Sequence, residues 1–143
     1  MGTKSIRHIV ETAVSSYLTG KTELSGCQIS TGDSSDSMTL PRVICYCPSA
    51  QPPPDLPEGL GNFLAQVEVH VLSSADDTTL TAHRARVAAV AGYMDSVTDL
   101  GAVFTAGGDA HLYDVTPSAE NDDHESRIWH TTLSYGVLCV LPA

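Results

Sequence analysis

Four consecutive residues near the end of the chain carry side chains that bind divalent metals: Asp122, Asp123, His124 and Glu125. A metal site needs ligands that converge on one point, usually four of them in a tetrahedral arrangement. Adjacent side chains of a loop diverge, and no second cluster of His or Cys is spaced to complete the set. We therefore interpret residues 116–125 as a solvated acidic loop and predict no metal site.

The cysteines are Cys27, Cys45, Cys47 and Cys139. Cys45 and Cys47 are two residues apart in a predicted strand, so they share one face, and a disulfide between such near neighbours would be strained. A Cys-x-Cys pair without a second pair also falls short of a zinc-binding pattern. The sequence predicts four reduced thiols and no disulfide, as is usual for a protein made in the cytoplasm.

The histidines are spread over different predicted elements and form no recognisable catalytic set. They are His8, His70, His83, His111, His124 and His130. His83 lies on the apolar stripe of a predicted helix, a position typical of a partly buried histidine with satisfied hydrogen bonds. The chain has no Gly-x-Ser-x-Gly, no Cys–His signature and no glycine-rich phosphate loop. We predict no catalytic residue, no cofactor and no enzymatic activity.

The charge is strongly acidic and unevenly distributed. The 143 residues include 17 acidic and 7 basic side chains, a net charge of -10. Residues 1–42 hold four of each, so residues 43–143 hold 13 acidic and 3 basic side chains. This excess disfavours a general nucleic-acid binder. The length fits a single domain over 1–143. The sequence has no long apolar run and no apolar leader, so we expect no membrane span and no secretory signal.

Hydrophobic periodicity predicts six elements. They are a helix over 5–18, strands over 40–47 and 63–72, a helix that starts after Asp77 and runs to 96, a weaker strand over 110–115 and a final strand over 127–141. The final strand is long enough to be central in the sheet. The order α-β-β-α-β-β predicts an α+β fold, a mostly antiparallel sheet of about four strands with two helices packed on one face.

Two features suggest contact with a partner. The segment 48–61 contains five prolines, so it is predicted to be a stiff projecting loop, and it would expose Leu56 and Leu60. Trp129 opens the last strand beside Arg127, a pair of residue types that is common at interfaces. A tryptophan in the core at a strand end is an equally good interpretation of Trp129.

Three segments together resemble a family of phage proteins. They are SIRHIVETAVSSYL, FLAQVEVHVLSS continuing into DDTTLTAHRARVAAVAGYM, and RIWHTTLSYGVLCV. In the order of their elements and in their residue pattern, these segments are similar to the tail terminator or tail completion proteins of long-tailed bacteriophages. This group includes the lambda minor tail protein U. The proline-rich loop over 48–61 departs from that pattern.

The resemblance implies a structural virion protein of the tail or neck, made in the cytoplasm of the bacterial host. Such proteins form a homohexameric ring on the head-proximal end of the tail tube, where they stop tube polymerisation and meet a neck or connector protein. We expect Leu56, Leu60, Arg127 and Trp129 at interfaces. Asp122, Asp123 and Glu125 would face the channel, where DNA passes without specific binding.

Other functions stay open at this stage. One is another phage neck or head-completion protein. A second is a ferredoxin-like ligand-binding regulatory domain, which would need a pocket with convergent polar groups. A metal-dependent enzyme is the third.

Overall fold

A computed structural model of the chain describes residues 5–31, 40–51, 62–108, 110–125 and 127–140. In these ranges the elements are α1 (Ile6–Leu18), a single 3-10 turn (Thr22–Leu24), β1 (Gln28–Thr31), β2 (Arg42–Gln51), β3 (Asn62–Ser74), α2 (Leu80–Met94), α3 (Val97–Gly107), β4 (His111–Glu125) and β5 (Ile128–Val140). Leu56 and Leu60, expected at an interface, lie outside the described residues.

The described strands form one sheet in the order β1-β2-β3-β5-β4. β1 runs parallel to β2, and the other neighbours are antiparallel. β3 and β5 pair along their whole length, from Asn62 with Val140 to Ser74 with Ile128. The prediction that the last strand lies inside the sheet is therefore confirmed.

The predicted fold class is wrong in strand count, strand direction and element order. The described residues contain five strands, one pair of them parallel, and three α-helices, where about four mostly antiparallel strands and two helices were expected. β1 has only four residues and pairs with a strand that begins eleven positions after it ends, so local alternation does not reveal it. Helix α3 contains Gly101 and ends at Gly107, residues that weaken a helical pattern.

Helix α3 has a capping residue at each end. The Ser96 hydroxyl accepts a hydrogen bond from the Asp99 backbone N–H at 3.4 Å and donates one to the Asp99 carboxylate at 2.9 Å. Gly108 ends the helix with φ of 74°, a left-handed conformation that glycine adopts without strain. Among the described residues no single helix is long and apolar enough to cross a membrane, and α2 and α3 pass that test only as a pair bent by 68°.

The acidic loop predicted over 116–125 is also wrong, because these residues are the second half of β4. They pair with β5 up to Glu125 opposite Ile128. Residues 116–123 are exposed on both faces of the strand, so no alternating pattern marks them. Pro117 is tolerated because β4 is an edge strand. Two irregularities, between Leu112 and Asp114 and between Pro117 and Ala119, further blur the strand signal.

The core lies between the helices and one face of the sheet, which we call the helix-covered face. α1 packs on β2 and β3, α2 lies across β3 and β5, and α3 packs on β4. Alternate residues of the strands point into this layer, and they are buried: Val43, Cys45, Cys47, Ala65, Val67, Val69, Val71, Leu133, Tyr135, Val137 and Cys139. From the helices, Val10, Val14, Leu18, Val90, Met94 and Leu100 complete the cluster.

Two side chains of α1 hold the backbone of β2 where its pairing with β3 is irregular. Pairing shifts between Tyr46 and Ser49, which leaves Cys47 outside the regular ladder. The Cys47 N–H donates to the Glu11 carboxylate at 2.8 Å, and its carbonyl accepts from Arg7 Nε at 2.7 Å. Both backbone groups are therefore satisfied, and α1 is fixed to one point of the strand.

The thiols differ in accessibility, which gives a first prediction. All four cysteines are free, and Cys27 is only half-buried. Burial raises the pKa of Cys45 to about 12 and the pKa of Cys47 and of Cys139 to about 11. In native protein we expect a thiol reagent at mildly alkaline pH to modify Cys27 first and the other three only slowly.

Denaturation without reductant should then expose four reactive thiols, and Cys27→Ser should remove the fast native phase while leaving three. Rapid reaction of more than one thiol in the native protein would contradict the burial of the other three. A total of two after denaturation would reveal a disulfide.

Candidate functional site

The described residues that the sequence marked as sites meet at one end of the molecule. Arg127 lies in the turn between β4 and β5, in a left-handed conformation with φ of 63°, and its guanidinium is 3.7 Å from the Asp76 carboxylate. Trp129 lies at the start of β5, and its indole N–H donates to the Thr78 carbonyl at 2.9 Å. Trp129 is thus held against its own chain and is half-buried.

An open cleft of about 190 Å³ lies between the start of α2 and the end of the β4–β5 hairpin. Leu80, Arg84, Asp123 and Trp129 are among its lining residues. Asp122 also borders it, with a carboxylate oxygen 3.7 Å from the Arg84 guanidinium. Asp122 and Asp123 are both exposed, and Glu125 is the last residue of β4.

A chain of hydrogen bonds runs beneath this cleft and joins α2 to the sheet. Arg86 donates to Ser73 Oγ at 2.6 Å, and Ser73 Oγ lies 2.8 Å from His83 Nδ1. His83 Nε2 lies 2.9 Å from Thr131 Oγ1, which in turn donates to the Asp122 carboxylate at 2.6 Å. Ser73, His83 and Thr131 are buried, with at most 2% of their surfaces exposed. We call this chain the Arg86–Asp122 relay.

Every hydrogen bond of the relay is donated in the same direction, from Arg86 towards Asp122. Thr131 gives its single hydroxyl proton to Asp122, so it accepts from His83, and His83 Nε2 must carry a proton. A neutral His83 then accepts at Nδ1, and Ser73, which already accepts from Arg86, supplies that proton. This pattern assigns the Nε2–H tautomer and satisfies every buried group.

The relay contains a serine next to a histidine, as the catalytic site of a serine hydrolase does. This serine, however, is not accessible as a nucleophile. The Ser73 side chain is fully buried, and its oxygen accepts from Arg86. A substrate carbonyl therefore has no access to it. The interpretation of His83 as a buried histidine with satisfied hydrogen bonds is confirmed, because both ring nitrogens have partners.

Ser73 and Thr131 were not among the residues predicted to form a site. Each interrupts an otherwise apolar series on the helix-covered face, Ser73 after Val71 on β3 and Thr131 before Leu133 on β5. A polar residue at an inward position is a signal for a buried hydrogen-bond partner. Pairing that partner with His83 requires the sheet register, which the sequence does not supply.

A second polar cluster lies on the opposite face of the sheet. His70 Nδ1 is 2.8 Å from His130 Nε2 and 3.1 Å from Thr132 Oγ1, and His70 Nε2 is 3.0 Å from the Glu68 carboxylate. These groups satisfy one another by hydrogen bonding. Throughout the part of the chain that the structure describes, no three His, Cys, Asp or Glu side chains are arranged to hold a metal ion.

The fold is similar to that of a chain in a solved virion. The match is to the virion of a native gene transfer agent (GTA) particle, with a TM-score of 0.63 over 92% of this chain and 94% of that chain. The two sequences are 12% identical, so the similarity concerns the fold. Neither a protein-family model nor a curated protein sequence matches this chain.

The relay predicts a specific dependence of stability on pH. Burial, followed by the positive charge of Arg86, lowers the pKa of His83 below its usual value of 6.5. The unfolded chain therefore binds a proton that the folded protein does not. His83 contributes its full stability above pH 6.5, and that stability falls as pH drops through about 6.5.

We expect the free energy of unfolding to decline by up to about 1.4 kcal/mol for each pH unit below that point from this residue. Chemical denaturation between pH 8 and pH 5 measures it. His83→Gln should be less stable at pH 8 but should lose this part of the slope, whereas His111→Gln, at an exposed position, should keep it. Equal slopes in the two variants would contradict the lowered pKa of His83.

The two neighbouring aspartates should differ in their effect on folding. Asp122 accepts the last hydrogen bond of the relay, and its side chain is 60% exposed, so Asp122→Ala should cost about 1 kcal/mol of stability. Asp123→Ala is the matched control and should stay within about 0.5 kcal/mol of the parent. Urea denaturation at neutral pH compares them, and identical stabilities would contradict a structural role for Asp122.

Proposed function

We propose that the chain is a structural virion protein that caps the head-proximal end of a phage tail tube. In this role, copies of it form a hexameric ring that ends tube polymerisation and provides the surface where head and tail join. The observation that carries the proposal is the match to a GTA virion chain, which spans 92% of this chain and 94% of that one. The resemblance of three segments to tail terminator proteins supports the more specific role.

The described polar groups support a structural role over a catalytic one. The buried histidine, serine and threonine of the relay are all engaged in joining α2 to the sheet. The Glu11 and Arg7 side chains are engaged with the backbone of β2. The cleft beside the relay, at about 190 Å³, is smaller than the roughly 300–1,000 Å³ of typical ligand pockets.

The acidic end of β4 fits a channel through which DNA slides. A ring repeats each acidic patch around its axis, and the repeated negative charge repels the phosphate backbone. Asp122 is engaged by the relay on the helix-covered face. Of the two exposed aspartates we therefore assign Asp123 to the channel, with Glu125 beside it along β4. The partners of the ring are the tail tube protein on one side and a neck or connector protein on the other.

Electron microscopy of the purified protein, alone and mixed with tail tubes, tests the proposal. We expect six-membered rings with a central hole, either free at high protein concentration or bound at one end of each tube. Addition of the protein to polymerising tube protein should stop elongation. Binding to capsid necks without binding to tubes would favour a head-completion protein. Absence of rings together with absence of tube binding would overturn the proposal.

A further inference from the structure

The first half of α2 is attached to the sheet by polar side chains. Residues 80–86 form about two turns of the helix, and among them only His83 is buried. The apolar contacts of α2 come from its second half, where Val87, Val90 and Met94 are buried. The two halves of one helix therefore depend on different forces, hydrogen bonds in the first half and hydrophobic burial in the second.

The hydrogen bonds of the first half meet at His83, and they require a neutral ring. A neutral imidazole accepts at Nδ1 from Ser73 on β3 and donates at Nε2 to Thr131 on β5, over distances of 2.8 and 2.9 Å. A protonated ring donates at both nitrogens. Ser73 Oγ would then receive hydrogens from His83 and from Arg86, and its own hydroxyl proton would lose the acceptor that it has in the neutral relay. Because Ser73 is fully buried, an unpaired hydroxyl proton there costs free energy.

The surroundings of His83 also oppose a charge on its ring. Burial has the largest effect in lowering the pKa of His83, and the positive charge of Arg86 on the same helix has the next largest. Asp122 on β4 acts in the opposite direction, because its carboxylate attracts a charged ring. His130 on β5, when protonated, and Arg84 on α2 add smaller repulsions. The attached helix therefore favours the neutral form of His83.

We propose that protonation of His83 releases the first half of α2 from the sheet while the second half stays packed. Acid thereby opens the cleft, because Leu80 moves away from the wall that Trp129 forms. The Thr78 carbonyl, which accepts the indole hydrogen bond of Trp129, lies two residues before the helix, so the indole becomes more accessible as well. The release takes place within one copy of the chain and does not depend on the ring function proposed above.

The pH dependence of the release follows from the two states of His83. In the released half the ring is solvated and its pKa is near the usual value of 6.5, whereas in the attached half its pKa is lower. The released state therefore binds the proton more readily, and acid favours it. The ratio of released to attached helix should rise by up to about tenfold for each pH unit below 6.5, until the lowered pKa is passed. Above pH 6.5 the ratio should stay constant.

Hydrogen exchange at the resolution of single amides tests the release. A free segment of about two turns is too short to stay helical in water, so its amides should exchange. We expect amides 83–86 to lose protection between pH 8 and pH 5, after correction for the intrinsic effect of pH on exchange. Amides 91–94 bond within the second half and should keep their protection. Loss of protection in both groups together, or in neither, would overturn the proposal.

A variant without the titrating ring tests the role of the proton. His83→Gln keeps a side chain that donates and accepts hydrogen bonds but cannot be protonated, so amides 83–86 should be equally protected at pH 5 and pH 8. His111→Gln, at an exposed position on β4, is the matched control and should keep the full loss of protection in acid. Acrylamide quenching of Trp129, the only tryptophan, should increase in acid in the control and not in His83→Gln. A parent-like response of His83→Gln would contradict the assignment to His83.

Two charge variants of the relay should change the response to acid in opposite directions. Arg86→Gln removes a positive charge and keeps a donor for Ser73, so the pKa of His83 should rise towards its usual value and the loss of protection in acid should weaken. Asp122→Asn removes a negative charge and keeps an oxygen that accepts from Thr131, so the loss should strengthen. A purely structural relay predicts weaker attachment at pH 8 and pH 5 alike in both variants. Changes in the same direction, or no change in the response to acid, would therefore overturn the proposal.

Discussion

The hydrogen-bonded relay from Arg86 to Asp122 is the constraint on which the arrangement of the site depends. It connects α2 with β3 through Ser73, with β5 through Thr131 and with β4 through Asp122. Buried polar groups cost free energy unless every one is paired, and a partly satisfied chain would be worse than an apolar core. In the observed placement of α2, both ring nitrogens of His83 meet their partners, and a shift of the helix along the sheet would leave a buried nitrogen unpaired. The relay therefore specifies position, while the surrounding valines supply the non-directional stabilisation.

A similar division of roles holds on the other side of the core. Val10 and Val14 bury the apolar face of α1, a contact that tolerates sliding along the sheet. The hydrogen bonds of Glu11 and Arg7 to the backbone of Cys47 remove that freedom. The helix layer is thus held by two polar attachments, one on α1 and one on α2. Tyr17 also connects α1 with α2, because its hydroxyl donates a hydrogen bond to the Tyr93 carbonyl at 2.7 Å.

The sequence predicted best those elements whose residues are buried on one side along their whole length. α1, β3 and β5 alternate or repeat cleanly, and they appear within a few residues of the expected bounds. Residues 116–123 of β4 are all exposed, so the acidic residues there show no buried side and looked like a loop. β1 exists through a parallel partner, and such pairing leaves no local pattern.

The residues of the candidate site were likewise predicted only where their character is visible in the sequence. Arg127, Trp129, Asp122 and Asp123 were noticed because charge and aromatic character are visible in a sequence. Their convergence with α2 depends on the β4–β5 hairpin. Ser73 and Thr131 carry no such mark, and their role follows only from the register that sets them on either side of His83. Trp129 fits partly with each of its two predicted roles, a packed residue at a strand end and an interface residue. It is half-buried against its own chain, and it also forms a wall of the cleft.

The long edge strand β4 exposes backbone groups that need protection from unwanted pairing. An exposed strand of 15 residues is a template for pairing with another strand, and such pairing leads to open-ended association. β4 carries several features that oppose it: two irregularities in its pairing, Pro117, and the charges of Asp114, Glu120, Asp122 and Asp123. Backbone pairing of β4 with a further strand is therefore opposed along much of this edge.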